Sequence, residues 1–311
     1  MIKKKVQSLK LIFNFILIFF SDSVFSASCC GGGGGVPGMI LNDSKAKLSS
    51  SLSYQKVIAD VNTQGEGRRR SNGKNISKIY ALDGAYLLSD YWQLTMSFPY
   101  YQNTIETSLS KESSNRIGDI SGALIFEYLP ELNYSTWKPR AFCYTRVTLP
   151  SGRSNRESKS TLRSDITGQG HTILSFGAPL YKIKNNYDFL LVPEIFNKFK
   201  ASENENGITV NYGATYGYSL LFSFGVSPYG GANRIGIGIR PQFQSKQKII
   251  RNEYSYTESK YFTDVSFNYS YAFNTIHSFS FIYSDQSIIG PAKNTSLIAS
   301  FILNYVMHWP L

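Results

Sequence analysis

Residues Ile208 to Val226 read ITVNYGATYGYSLLFSFGV. One parity carries Ile208, Val210, Tyr212, Ala214, Tyr216, Tyr218, Leu220, Phe222, Phe224 and Val226, and the other carries Thr209, Asn211, Gly213, Thr215, Gly217, Ser219, Leu221, Ser223 and Gly225. That is a strand period of two, held over nineteen residues without a slip. Strands of soluble sheets usually stop after about five or six residues. A strand with lipid on one side and a watery lumen on the other needs this alternation, over roughly 9 to 11 residues merely to cross. The stretch therefore predicts an all-β fold, a transmembrane antiparallel β-barrel.

Composition agrees. The 311 residues include 22 Tyr and 21 Phe, yet hydrophobic content is 42% and mean hydropathy is −0.19. That is too polar for a bundle of membrane helices and ordinary for a barrel, whose strands are each half apolar. Outward from 208–226, similar runs recur at 46–60, 76–88, 92–100, 118–128, 137–149, 171–182, 187–200, 234–246, 260–273, 276–284 and 294–309. Twelve strands result, with ten or fourteen as alternatives. Long polar connections alternate with short turns such as Asn185–Asn186 and Asn274–Thr275, as expected when long loops face outside and short turns face the periplasm. Nothing resembling a linker splits the chain, so 46–311 is expected to form one barrel.

Residues 1–28 read as a signal peptide: Lys3, Lys4, Lys5 and Lys10 precede an apolar run from Leu11 to Phe20 and a small, polar tail. A Cys/Gly-rich periplasmic leader, 29–45, follows. Cys29 is a candidate for lipidation if processing ends at Ser28, and the alternative is a flexible leader. Adjacent Cys29 and Cys30 with a distant Cys143 give neither metal nor redox spacing, so no metal and no cofactor is expected. In the fifth run Cys143 shares parity with Trp137, Ala141, Thr145 and Val147 and is predicted to face lipid.

The same parity places Asp83, Asp119, Glu127, Lys138, Arg140, Arg146, Glu194, Arg240 and Asp264 toward the lumen, together with Lys198. Charges inside a membrane barrel must face water or a partner, so they either line a pore or pair across it. A hydrolase in the barrel wall would need a histidine beside a serine or an acid. His171 and Ser175 are four residues apart on one face, roughly 13 Å at strand rise, His277 is opposite in parity to Ser278 and Ser280, and His308 lies beside Trp309 at the chain end. No nucleophile pair emerges, and the chain is not expected to be an enzyme. Net charge is +11, and basic residues gather in predicted external loops, at Arg68–Arg70, Arg153–Arg163 and Lys246–Arg251. Their expected partner is outer-membrane lipid, the phosphate-rich lipopolysaccharide, and an exported chain gives no reason to expect nucleic acid. The remaining expected partners are a small-molecule solute and the barrel-assembly machinery of a Gram-negative outer membrane. A passive channel is the leading reading, with a structural or surface-attachment barrel as the alternative.

Phe98–Pro99, Gly118–Asp119 and Leu149–Pro150–Ser151–Gly152 are spaced as in a family of outer-membrane channels named for phenol degradation by the meta pathway, which this chain resembles over residues 90–152. The family's last motif has Thr where Ser151 stands. The resemblance implies a barrel that passes small, hydrophobic molecules.

Overall fold

A computed structural model describes residues 36–41, 44–69, 73–131, 135–205, 208–228, 232–251 and 254–310. The expected signal peptide, Cys29, Cys30 and the glycines at 31–35 lie outside them. Twelve antiparallel staves form the wall: β1 (Ser44–Val61), β2 (Lys74–Leu87), β3 (Trp92–Glu106), β4 (Ser121–Leu129), β5 (Arg140–Thr148), β6 (Ile173–Gly177 with Leu180–Lys184), β7 (Tyr187–Lys198), β8 (Thr215–Val226), β9 (Asn233–Gln244), β10 (Lys260–Ala272), β11 (His277–Asp285) and β12 (Thr295–Pro310). Each pairs with its sequence neighbours, and β1 also pairs with β12, from Ser44↔Pro310 to Val61↔Thr295. Closure leaves no free sheet edge. Among the described residues there is no helix.

The alternation does what it predicts. On β8, Tyr218, Leu220 and Phe222 are exposed on the outer surface while Thr215, Gly217 and Ser219 are buried inside. Cys143 is likewise exposed on the outer face of β5. Within β6, Pro179 has no N–H to give the ladder. Its carbonyl still accepts from Phe142 N at 2.9 Å. Register against β5 is unchanged across the interruption, Tyr144↔Gly177 on one side and Ala141↔Leu180 on the other.

Three expectations are corrected. The run 208–226 is not one stave: Ile208–Tyr212 belongs to a separate four-stranded sheet with Ala201–Glu205, Gln247–Ile250 and Tyr254–Thr257, built from the β7–β8 and β9–β10 loops. At Gly213 and Ala214 the buried side changes, so Tyr212 is buried and Tyr216 exposed although they share parity. Second, β5 starts at Arg140 rather than at Trp137, which leaves Trp137 and Lys138 exposed in the link before it. Third, the loop ending at Ile117 is itself partly a strand, Lys111–Ile117, which extends β3 beyond the barrel.

Candidate functional site: the barrel lumen

The lumen is occupied from the short-turn end by the chain's own leader. Residues 36–41 precede β1, and Met39 and Leu41 pack with Ile125, Phe142, Tyr144, Tyr181, Leu190 and Val192, an apolar patch on the inner face of β4 to β7. Met39 is 2% exposed. Burying such a side chain contributes roughly 1.5–3 kcal/mol. The backbone of the segment cannot join the sheet, and wall side chains meet its polar groups instead. Gln93 of β3 accepts from Ile40 N and donates to Ile40 O, both at 2.9 Å. Arg140 donates to Leu41 O at 2.6 Å, and Lys47 reaches Met39 O at 3.5 Å.

Most of the charges read from the sequence are in the lumen, and most are paired along its wall. Arg140 forks onto Glu127 at 2.7 and 2.8 Å. Arg146 reaches both oxygens of Glu194, at 2.9 and 2.8 Å, Tyr144 donates its hydroxyl to the same carboxylate, and Arg240 approaches it at 3.7 Å. Asp264 sits opposite Arg240 in the β9–β10 register, and Asp83 accepts from Ser49 at 3.4 Å. Lys198 donates to Gln244 at 2.9 Å.

Arg140–Glu127 joins adjacent staves, but the contacts of Glu194 with Arg146 and Arg240 bridge staves two apart, which requires the stave between to be thin. On β6 a Cβ at Gly177 would come within 2.3 Å of the Tyr144 ring, and on β8 a Cβ at Gly225 would come within 2.4 Å of both Arg234 and Asp188. Glycine at those two positions lets the ion pairs cross. Sequence reasoning missed the second of them: Arg234 forks onto Asp188 at 2.7 and 2.6 Å, both buried, and also donates to Asn268. Parity could have found it, since Asp188 shares the phase of Glu194 and Arg234 that of Arg240, but both stand at strand ends, where the runs were drawn loosely. The leader segment gave no such signal, because six residues without periodicity do not announce what they touch.

Two expected lumen residues are elsewhere. Lys138 is exposed in the β4–β5 link, as the later start of β5 requires. Asp119 lies beyond the end of β4, at the long-loop rim, where its carboxylate accepts from Gly152 N at 3.0 Å and Gln169 N at 2.7 Å. Burial is the main influence on Asp119 and raises its pKa despite those bonds. Beside it Ser151 accepts from Ile120 N and donates to Gly118 O, each at 2.8 Å. The Gly118–Asp119 and Ser151–Gly152 motifs are thus in mutual contact and pin the β5–β6 loop to the wall.

Two of that loop's four basic residues, Arg153 and Arg156, are partly buried against the protein, while Lys159 and Arg163 stay exposed. Arg153 pairs with Asp165 at 2.7 Å. Burial opposes ionisation of Asp165, but bonds from Ser158, Arg153 and Lys159 N outweigh it and lower the pKa. Arg156 stacks on Tyr212 of the external sheet, 3.3 Å from its centroid, and meets His171 Nε2 at 2.6 Å.

No protein-family model matches the chain, and no curated protein sequence does. Solved structures do share its architecture. The crystal structure of the COG4313 outer membrane channel from Pseudomonas putida F1 is similar at TM-score 0.65 and 15% identity, over 88% of this chain and 99% of that one. The transport unit of the autotransporter AIDA-I from Escherichia coli aligns at 0.46 and 10%, over 87% and 92%. A TodX monoaromatic hydrocarbon channel mutant aligns at 0.42 and 9%, over 86% and 91%.

Proposed function

We propose that the chain is a passive outer-membrane channel for small molecules, with its long loops outside the cell and its leader as an internal closure. The observation that carries this is the lumen itself: polar groups line much of it, and the apolar part, on β4 to β7, is covered by a short segment, residues 36–41, that is not part of the wall. A barrel meant only as a scaffold could fill that patch from its own wall. The fold shared with an outer membrane channel supports the class of function, and so does the resemblance to phenol-pathway channels at Gly118–Asp119 and Leu149–Gly152. No catalysis is assigned, because His171 is committed to Phe199 O, Arg156 and Gln247. Lipopolysaccharide remains the expected surroundings of the rim.

The test is reconstitution of the purified, folded protein into planar bilayers. Discrete current steps in potassium chloride are expected, and a folded protein that never conducts would overturn the proposal. The surface-attachment reading draws on the external sheet, where Tyr254 and Tyr256 are exposed beside Lys248, which lies 4.1 Å from the Tyr254 ring centroid. It would gain if conductance were absent and deletion of residues 247–257 abolished adhesion of whole cells.

A further inference from the structure

Along its outer face β3 changes character toward the long-loop end. Trp92, Leu94, Met96, Phe98 and Tyr100 are exposed and apolar or aromatic, and Gln102, Thr104 and Glu106 continue the same parity as polar residues. The strand Lys111–Ile117 changes at the same level, from Ile117 to Asn115, because its register is Tyr100↔Ile117 and Gln102↔Asn115. On β5 the outer face keeps exposed apolar side chains at Val147 and beyond its end at Leu149, next to Pro150. In a barrel embedded in lipid such a change marks the interface, where an aromatic girdle ends the apolar band and headgroups begin.

At that level a cleft of about 670 Å³ opens between Lys111–Ile117 and the β5–β6 loop. Ligand sites run from roughly 300 to 1,000 Å³. Tyr100, Ile117 and Pro150 form its apolar part, and Arg116, Arg153 and Lys159 its cationic part. Arg153 is committed to Asp165, and Glu157, the one carboxylate of the lining, accepts from Ser154 N at 3.0 Å. Arg116 and Lys159 are exposed, and among the described residues neither forms an ion pair. With Arg153 balanced by Asp165, these two cations against Glu157 leave 2 − 1 = +1, which favours an anion. Ser151 and Gly152, also in the lining, are held by their bonds to Gly118 O, Ile120 N and Asp119, so the ligand does not have to order this part of the cleft.

We propose that this cleft is a binding site for a phosphate of an outer-leaflet glycolipid, whose acyl chains descend along Tyr100, Ile117 and Leu149. Arg116 and Lys159 supply the charge and the N–H donors that a phosphate takes. The apolar residues lie on the membrane side of them, and a molecule carrying both a phosphate and acyl chains satisfies the two parts together. A soluble anion would use the cations and leave Tyr100 and Ile117 without a role. The inference rests on the proposed orientation, long loops outside, and not on conduction through the lumen.

Native mass spectrometry of the full chain, folded in detergent, tests this with bisphosphorylated lipid A, the same lipid stripped of its phosphates, and inorganic phosphate. Lipid A should bind at one copy per chain, about tenfold more tightly than the stripped lipid, and an excess of inorganic phosphate should not displace it. Arg116→Gln combined with Lys159→Gln should weaken lipid A binding about tenfold, the effect of losing charge-assisted hydrogen bonds. Arg163→Gln, which removes a cation of the same loop outside the cleft, should leave it unchanged. Heat-modifiable gel migration establishes that each variant is folded. Equal lipid A binding by the folded double variant and the wild type would overturn the site. Equal binding of the phosphorylated and stripped lipids would do the same, and displacement by inorganic phosphate would mean a site for soluble anions instead. Any of these results from a protein that conducts potassium chloride would leave the channel standing.

Discussion

At the scale of single residues, His171 is fully specified by its neighbours. The Phe199 carbonyl at 2.8 Å can only accept, so Nδ1 carries the proton. Nε2 is then the acceptor for Arg156 at 2.6 Å and Gln247 at 3.2 Å. Burial depresses its pKa most, the Phe199 bond opposes this, and Arg156 and Lys198 depress it further. With the folded pKa below the unfolded value of about 6.5, this contact's stability is fully present above that value. It is lost as pH falls toward the folded pKa, because the unfolded form then binds more protons. Limited proteolysis of the loop 150–170 should therefore be faster at pH 5 than at pH 8, and His171→Gln should flatten the difference. Equal cleavage of wild type at both values would contradict the assigned tautomer. The Arg234–Asp188 pair gives a second expectation. Arg234→Met leaves a buried carboxylate uncompensated and should cost about 3–5 kcal/mol, much of which Asp188→Leu should restore in the double variant. Thermal loss of the folded gel band measures both.

At the scale of elements, what could be read from the sequence was the wall. Strict parity in β8, β10 and β12 arises because each stave separates two unlike solvents, and a single slip would invert every face. Parity says nothing of what a face meets. Residues 208–212 keep the phase of β8 while Val210 and Tyr212 turn from an outer surface to a buried one under the loop. Asp119 and Lys138 were read as lumen charges for the same reason: alternation was carried past the ends of β4 and β5 into links that turn away. The inward ion pairs needed a further fact, that Gly177 and Gly225 open lateral space, which spacing within one strand does not contain. Cys143 tests the β5 register directly. In proteoliposomes it should react with an apolar maleimide and resist a charged one, and rapid labelling by the charged reagent would mean that β5 is shifted by one residue.

At the scale of the whole molecule, twelve paired staves make a closed ladder in which every stave is hydrogen-bonded on both sides. Such a cylinder opens only by losing a complete seam, so the protein should migrate as a compact band in detergent gels until boiled, and should sediment with membranes. Residues 36–41 are held differently, by Met39, Leu41 and Val36 packed on the apolar patch and by hydrogen bonds with Gln93, Arg140 and Lys47, and none of these contacts is part of a seam. The most direct measurement is single-channel conductance of the full chain beside a variant in which residues 36–41 are replaced by alternating glycine and serine. The account expects the replaced protein to fold to the same heat-modifiable barrel and to show larger and longer-lived current steps. Identical conductance in the two proteins would mean that this segment does not close the lumen.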